Sequence, residues 1–156
     1  MTERRTITVL LGDGIGPEVM NATMRVLDSL RAGLAFEVFP YGEATGGTLP
    51  QDALESFKRN KFGLKGPTAT PPAGGYMSPA FHLRKTLELY ANVRPVSTLP
   101  NVTSKYNGGS FQFAIVREIS EGEYKLSEEV QDGGDRVLTT FETTREACRK
   151  VAEFAF

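Results

Sequence analysis

Residues 6–18 read TITVLLGDGIGPE, and this stretch decides the fold. Thr6 to Leu11 is a short apolar run rich in β-branched residues, the pattern of a buried strand. Gly12-Asp13-Gly14-Ile15-Gly16 breaks it. Pro17 and Glu18 then suit the first turn of a helix, because proline needs no donor there and glutamate favours the positive end of the helix dipole. Val19, Thr23, Val26, Leu27 and Leu30 follow at helical spacing and are expected to face inward.

The same alternation continues outward. Phe36 to Phe39 reads as a second strand. Gln51 to Asn60 reads as a short helix with Ala53, Leu54 and Phe57 inward, and Phe62 to Lys65 as a third strand. A β-α-β-α-β order predicts an α/β fold built on a parallel sheet. Residues 66–77 hold three prolines and three glycines and form a long loop past the third strand. Ser78-Pro79 opens another helix, with Ser78 as N-cap, running to about Tyr90. Ala91 to Val96 and Phe111 to Arg117 are expected strands, joined by a polar turn around Asn107-Gly108-Gly109. Gly122 to Arg136 has no clear period. Val137 to Glu142 is a further strand. Thr143 and Glu146 form a capping box that opens a last helix, with Ala147, Val151, Phe154 and Ala155 inward. That helix ends in apolar residues without a C-cap, the kind of end that continues or docks on a partner.

Composition narrows the function classes. The chain has 156 residues and a formal net charge of -1, so no long-range field favours nucleic acid or an anionic membrane. No apolar run approaches a membrane span. The N-terminus enters a strand directly, unlike a signal peptide. One cysteine, Cys148, allows no internal disulfide and suits a reducing compartment, so a cytoplasmic location is expected. One histidine, His82, and no Cys/His cluster argue against a zinc site. His82 and Cys148 are expected to be packing residues.

Four features carry chemistry. The Gly12–Gly16 turn sits between strand and helix, where glycines serve either a tight turn or a ligand approaching the backbone. Its spacing is not that of the dinucleotide fingerprint. Lys65 and Thr70 follow the third strand, and ligands of open α/β sheets sit beyond the carboxyl ends of strands. Arg84, Arg94 and Arg117 stand on a helix and in two strands. An arginine in an apolar strand needs a carboxylate or phosphate to meet it, and three such forks could grip a polycarboxylate. The alternative is pairing with Glu88, Glu118 or Glu121. Tyr124 offers a phenol just beyond Arg117, as a proton donor or as a packing residue.

These residues together resemble a known family. Gly12 to Glu18 is similar to the opening signature of the isocitrate and isopropylmalate dehydrogenases. Leu64 to Pro71 (LKGPTATP) resembles the isocitrate-type loop. Leu83 to Pro95 (LRKTLELYANVRP) is the most specific match, and Val116 to Tyr124 (VREISEGEY) resembles the next block. The matches keep family order and cover nearly the whole chain.

The resemblance implies oxidation of a 2-hydroxy acid, foremost isocitrate, by NAD or NADP. Decarboxylation then follows with help from Mg2+ or Mn2+. By position, Ser78, Arg84, Arg94 and Arg117 would bind substrate carboxylates and Tyr124 would donate a proton. Lys65, Thr70 and Ile15 would lie on the cofactor side. Residues 1–96 would be the first part of the large α/β domain, and residues 97–156 the start of the smaller dimerisation domain. The expected partners are a small 2-hydroxy or tricarboxylic acid and a second family chain, in a homodimer or beside a full-length subunit. Nucleic acid and membrane are not expected partners. The metal ligands and adenine-binding loop belong to a later part of the family pattern, so this chain alone is expected to be inactive. Two departures bear on function: Ala80 and Ile119 stand where the family usually has asparagine. They leave open a non-catalytic, regulatory-subunit-like member. Homoisocitrate, tartrate and isopropylmalate remain alternative substrates, with the Lys65-Gly66-Pro67 loop arguing against isopropylmalate.

Overall fold

β1 forms at Arg5–Leu10, where the β-branched run predicts it, and ends buried. The computed structural model describes residues 4–69, 78–102, 110–125 and 127–156. The chain divides into two units, Met1–Leu87 and Glu88–Phe156.

In the first unit, β1 is followed by α1 (Gly16–Ser29), β2 (Leu34–Phe39), α2 (Gln51–Asn60), β3 (Gly63–Lys65) and α3 (Pro79–Thr86). The sheet order is β2-β1-β3, and both pairings are parallel, as the alternation predicts. Register places Leu10 beside both Phe39 and Lys65, so three strands end at one edge. The core gathers Leu10, Tyr41, Leu49, Ala53 and Leu83, with Leu54 and Phe57 partly buried against it. Ala53, Leu54 and Phe57 therefore face inward as expected.

A buried polar network fixes α2 on the sheet. The Thr8 and Ser56 hydroxyls, both fully buried, lie 2.6 Å apart. Ser56 donates to the Glu37 carboxylate at 2.6 Å, and Arg59 and Asn60 donate to the same oxygen. The Ser56 hydrogen bond chiefly lowers the Glu37 pKa. Each buried hydroxyl thus has a partner, without which its burial would be costly.

Two expectations are corrected in this unit. In α1 Gly16 and Met20 are buried and Thr23 and Leu27 half-buried, whereas Val19, Val26 and Leu30 are exposed. The buried stripe starts at Gly16, so the helix phase is set by the tight turn and not by the most apolar positions. α3 ends at Thr86 and not near Tyr90. Glu88 adopts a positive φ of 52°, a left-handed conformation that terminates a helix.

In the second unit, β4 (Ala91–Ser97) pairs antiparallel with β5 (Gln112–Glu118), and β6 (Ser127–Gln131) pairs antiparallel with β7 (Arg136–Thr140). The chain ends in α4 (Arg145–Ala155), which packs on β5. The turn expected around Asn107 to Gly109 lies outside the described residues. β6 occupies the stretch where no period was legible, because its sequence SEEVQ is almost wholly polar and exposed. The helix cap is also corrected. Thr144, not Thr143, is the N-cap of α4, and its hydroxyl accepts the Ala147 N–H at 3.2 Å. The Glu121 carboxylate accepts the Thr144 N–H at 2.6 Å and the Thr144 hydroxyl at 2.9 Å. A carboxylate at this end of the helix also suits the dipole. Along α4, Ala147 is buried and Val151 half-buried. Phe154 is exposed, with its ring perpendicular to that of Tyr90 in an edge-to-face pair, and Ala155 is exposed. No described helix is long and apolar enough to cross a membrane.

Candidate functional site

In the first unit, the carboxyl ends of β1, β2 and β3 lead into three turns at one edge of the sheet. The backbone knits them together. Leu11 N–H donates to Phe39 C=O, Gly66 N–H to Leu10 C=O and Asp13 N–H to Pro67 C=O, at 3.1, 2.8 and 2.8 Å. A Cβ on Gly12 would meet the Pro67 carbonyl oxygen at 1.9 Å, and Gly12 sits at φ 79°. Glycine is required there because another stretch of the chain approaches. Ile15, the residue expected on the nicotinamide side, is 65% exposed at the turn.

Lys65 and Arg84 both belong to this unit. Lys65 Nζ donates to the Gly66 carbonyl at 2.8 Å and to the Thr68 hydroxyl at 3.2 Å. Its pKa is lowered by partial burial first, then by the positive charge of Arg84, and the Asp13 carboxylate opposes both. The positive charge of Arg84 thus acts on Lys65, and a nearby anion would relieve that repulsion. Ser78 holds the N-cap position of α3, but its side chain makes no capping hydrogen bond. Arg84 lies six residues further along that helix and is half-buried. Thr70 lies outside the described residues.

Helix α3 is anchored from β2. Tyr41, at the carboxyl end of that strand, is buried, and its hydroxyl donates to the Pro79 carbonyl. Burial pushes the Tyr41 phenol up to about 12. His82 is structural, as expected: its Nδ1 accepts the Leu49 N–H at 3.3 Å.

In the second unit, Arg117 meets Tyr124, and Arg94 lies on the same face of the strand pair as Arg117. Arg117 stands opposite Asn92 and Arg94 opposite Ile115. Side chains alternate across a strand, so Asn92, Arg94 and Arg117 share one face. Arg94 Nε donates to Asn92 Oδ1 at 3.0 Å. The Arg117 guanidinium lies 5.3 Å from the centroid of the Tyr124 ring and pairs with Glu123 at 3.1 Å. Two of the residues expected as alternative partners of the arginines are engaged elsewhere: Glu118 accepts from Ser120 and Glu121, and Glu121 from Thr144. The Arg117–Glu123 pair is exposed on both sides, so it is weak and open to competition from an incoming carboxylate.

A cavity of about 270 Å³ opens beside Arg117 and Tyr124, with Phe141, Ala147, Cys148 and Val151 in its wall. Cys148, expected to pack in the last helix, is exposed instead. Ile119, which stands where the resemblance expects asparagine, is buried at 5% exposure. It contributes packing at that point and no amide.

Sequence reasoning missed the roles of Asp13, Tyr41 and Glu121, which hold the edge, helix α3 and helix α4. An aspartate between two glycines after a strand was the visible signal for the first. Tyrosine in a Pro-Tyr-Gly turn after a strand was the signal for the second. Among the described residues no group of three His, Cys, Asp or Glu side chains could hold a metal ion. The described residues therefore do not fit a divalent metal by themselves.

A family model described as isocitrate/isopropylmalate dehydrogenase matches residues 6–156. The chain is 44% identical to the NADP isocitrate dehydrogenase of Thermus thermophilus over 82% of its own length and 27% of that protein. It is 40% identical to the alpha subunit of mitochondrial NAD isocitrate dehydrogenase from Bos taurus, over 97% of this chain and 42% of that one. It is 35% identical to a regulatory subunit of the mitochondrial NAD isocitrate dehydrogenase from Dictyostelium discoideum, over 99% of this chain and 42% of that one. The solved structure of isocitrate dehydrogenase from Methylococcus capsulatus superposes with a TM-score of 0.83 at 29% identity, covering 96% of this chain and 46% of that one. The chain thus spans less than half the length of these relatives.

Proposed function

This chain belongs to the isocitrate/isopropylmalate dehydrogenase family, and on that premise we propose that it carries the carboxylate-binding part of an NAD- or NADP-dependent oxidative decarboxylase acting on isocitrate. The observation that carries this reading is the shared face of Arg94 and Arg117, with the Tyr124 ring against Arg117. Two guanidinium forks on one face match a substrate bearing several carboxylates, because each fork can donate two parallel hydrogen bonds. Lys65 and Arg84 add a second concentration of positive charge in the other unit.

The roles of this chain's own groups follow from that arrangement. Arg94, Arg117, Arg84 and Ser78 bind and orient carboxylates. Tyr124 holds a proton at its phenol oxygen, within reach of the charge that Arg117 organises. Lys65 and Ile15 serve the cofactor side. The nicotinamide would supply a hydride acceptor when bound. A divalent ion needs ligands that the described residues do not supply. Residues 1–96 are the proposed first part of the large domain and residues 97–156 the start of the smaller, dimer-forming one, so pairing with a second family chain completes the reading.

The test has two steps. Calorimetric titration with isocitrate measures binding, and isocitrate, Mg2+ or Mn2+, and NAD or NADP together measure turnover by the appearance of reduced cofactor. We expect binding without turnover by these 156 residues alone. Robust turnover, or no binding at all, sinks the reading.

A second reading, a non-catalytic subunit, is favoured by one observation: Ile119 is packed into the core where an amide was expected. Regulatory subunits are among the similar proteins. Co-purification with a full-length family chain, raising that chain's activity, would favour it over the first.

A further inference from the structure

Beside the backbone hydrogen bonds at the carboxyl edge of the sheet, one side chain that the proposed chemistry does not use links the loops there. Asp13 follows β1 directly after the Gly12 turn. Its Oδ1 accepts the Glu43 N–H at 2.8 Å, from the turn after β2. Its Oδ2 accepts the Ala69 N–H at 3.2 Å, from the loop after β3. Its own N–H donates to the Pro67 carbonyl at 2.8 Å. One residue thereby ties together the three loops at this edge. The approach is close on the far side as well: Gly42 has φ 106°, and a Cβ there would lie 2.1 Å from an Asp13 carboxylate oxygen.

The loop that Asp13 holds is the loop that fixes Lys65. The Lys65 ammonium is anchored on the Gly66 carbonyl and the Thr68 hydroxyl, both beside the points that Asp13 pins at Pro67 and Ala69. Two backbone N–H donors to a carboxylate are charge-assisted hydrogen bonds, stronger than neutral ones. A carboxylate with both oxygens so engaged has its orientation set from two directions.

We propose that Asp13 is the positioning residue of this edge: by clamping Glu43 and Ala69 it sets the Gly66–Ala69 loop and thereby where the Lys65 ammonium meets a bound anion. This rests on the proposed role of Lys65 as a ligand-side residue. The Asp13 charge also counters the influence of burial and of Arg84 on Lys65, so its loss acts on Lys65 in a second way.

The test uses the full chain with Asp13→Asn. Asparagine keeps the shape, but its amide nitrogen must face one of the two N–H groups. By NMR, amide exchange at Glu43 or Ala69 is expected to rise about tenfold or more, while amides within the β1–β2 ladder keep their protection. The Lys65 ammonium is expected to titrate at lower pH than in the wild type. Isocitrate is expected to bind about tenfold more weakly, through the displaced loop. Equal acceleration of all sheet amides, or no change at Glu43 and Ala69, overturns the assignment. So does unaltered isocitrate binding by a variant whose wild type binds it. Should the variant not fold, scalar coupling across the hydrogen bonds, from the Asp13 carboxyl carbon to the Glu43 and Ala69 amide nitrogens, is measured in the wild type, and its absence overturns the clamp. A wild type that does not bind isocitrate sinks the proposed function alone, because the exchange and Lys65 readouts still decide the role of Asp13.

Discussion

Arg94 and Arg117 lie on the same face of the β4–β5 pair: Arg117 stands directly opposite Asn92, and Arg94 is two residues along from Asn92 on the same side. Diagonal neighbours of this kind are within reach of long side chains. Like charges placed so repel, and an anion that joins them relieves the repulsion. Replacing either arginine by alanine is therefore expected to weaken isocitrate binding about tenfold or more, and lysine to restore it only in part, because lysine cannot donate in a planar fork. Calorimetric titration of the four single variants checks this. Full rescue by lysine would show that charge alone is recognised.

Tyr41 ties α3 to the sheet through the Pro79 carbonyl. Tyr41→Phe leaves that carbonyl without its partner in a buried place and is expected to destabilise the fold by about 1–3 kcal/mol. The pH dependence has a definite sign. The phenol titrates at about 12 when folded, against an ordinary 10.0. Above 10.0 the unfolded state therefore loses its proton first, and stability falls as pH rises through about 12. Urea denaturation across this range should show the fall in the wild type and a shallower one in Tyr41→Phe.

The cap of α4 distinguishes two adjacent threonines. Thr144→Ala removes the acceptor of the Ala147 N–H and the hydroxyl donor to Glu121, and is expected to cost about 1–2 kcal/mol. Thr143→Ala is expected to change stability by less than about 0.5 kcal/mol. Thermal melts of the two variants decide which residue caps the helix.

Burial alone would push Glu118 up, but the Ser120 hydroxyl and the amides of Ser120, Glu121 and Ile119 outweigh it and hold the carboxyl below its ordinary 4.5. As pH falls below that value the unfolded state takes up the proton first, so this contribution is present above 4.5 and is lost on acidification. Glu118→Gln should therefore lose stability less steeply with falling pH than the wild type does, as followed by thermal melts.

Much of the first unit was legible because its signals are local. Helix α2 falls on Gln51–Asn60 as its period predicts, and β1, β2 and β3 lie within two residues of their apolar runs. β6 was not legible, because a polar exposed strand carries no hydrophobic period and exists only through its pairing with β7. The phase of α1 was misread because Gly16 packs where any larger residue would strike the Leu11 carbonyl, and that contact outranks the exposed apolar positions. In the site, the residue types were legible, and their company was not. Nothing in the chain order says that Tyr124 lies against Arg117 while Glu118 and Glu121 turn to backbone amides.

The sequence by itself determined the parallel α/β order, the positions of the strand-ending glycines and the family, since propensity, period and motif are properties of neighbouring residues. Only the tertiary structure decided that Asp13 reaches Glu43 and Ala69, which lie 30 and 56 residues away. It also decided that Arg94 and Arg117 share a face. The reason is register: side chains alternate with a period of two, so a slip of one residue between β4 and β5 would have sent the two arginines to opposite sides of the sheet.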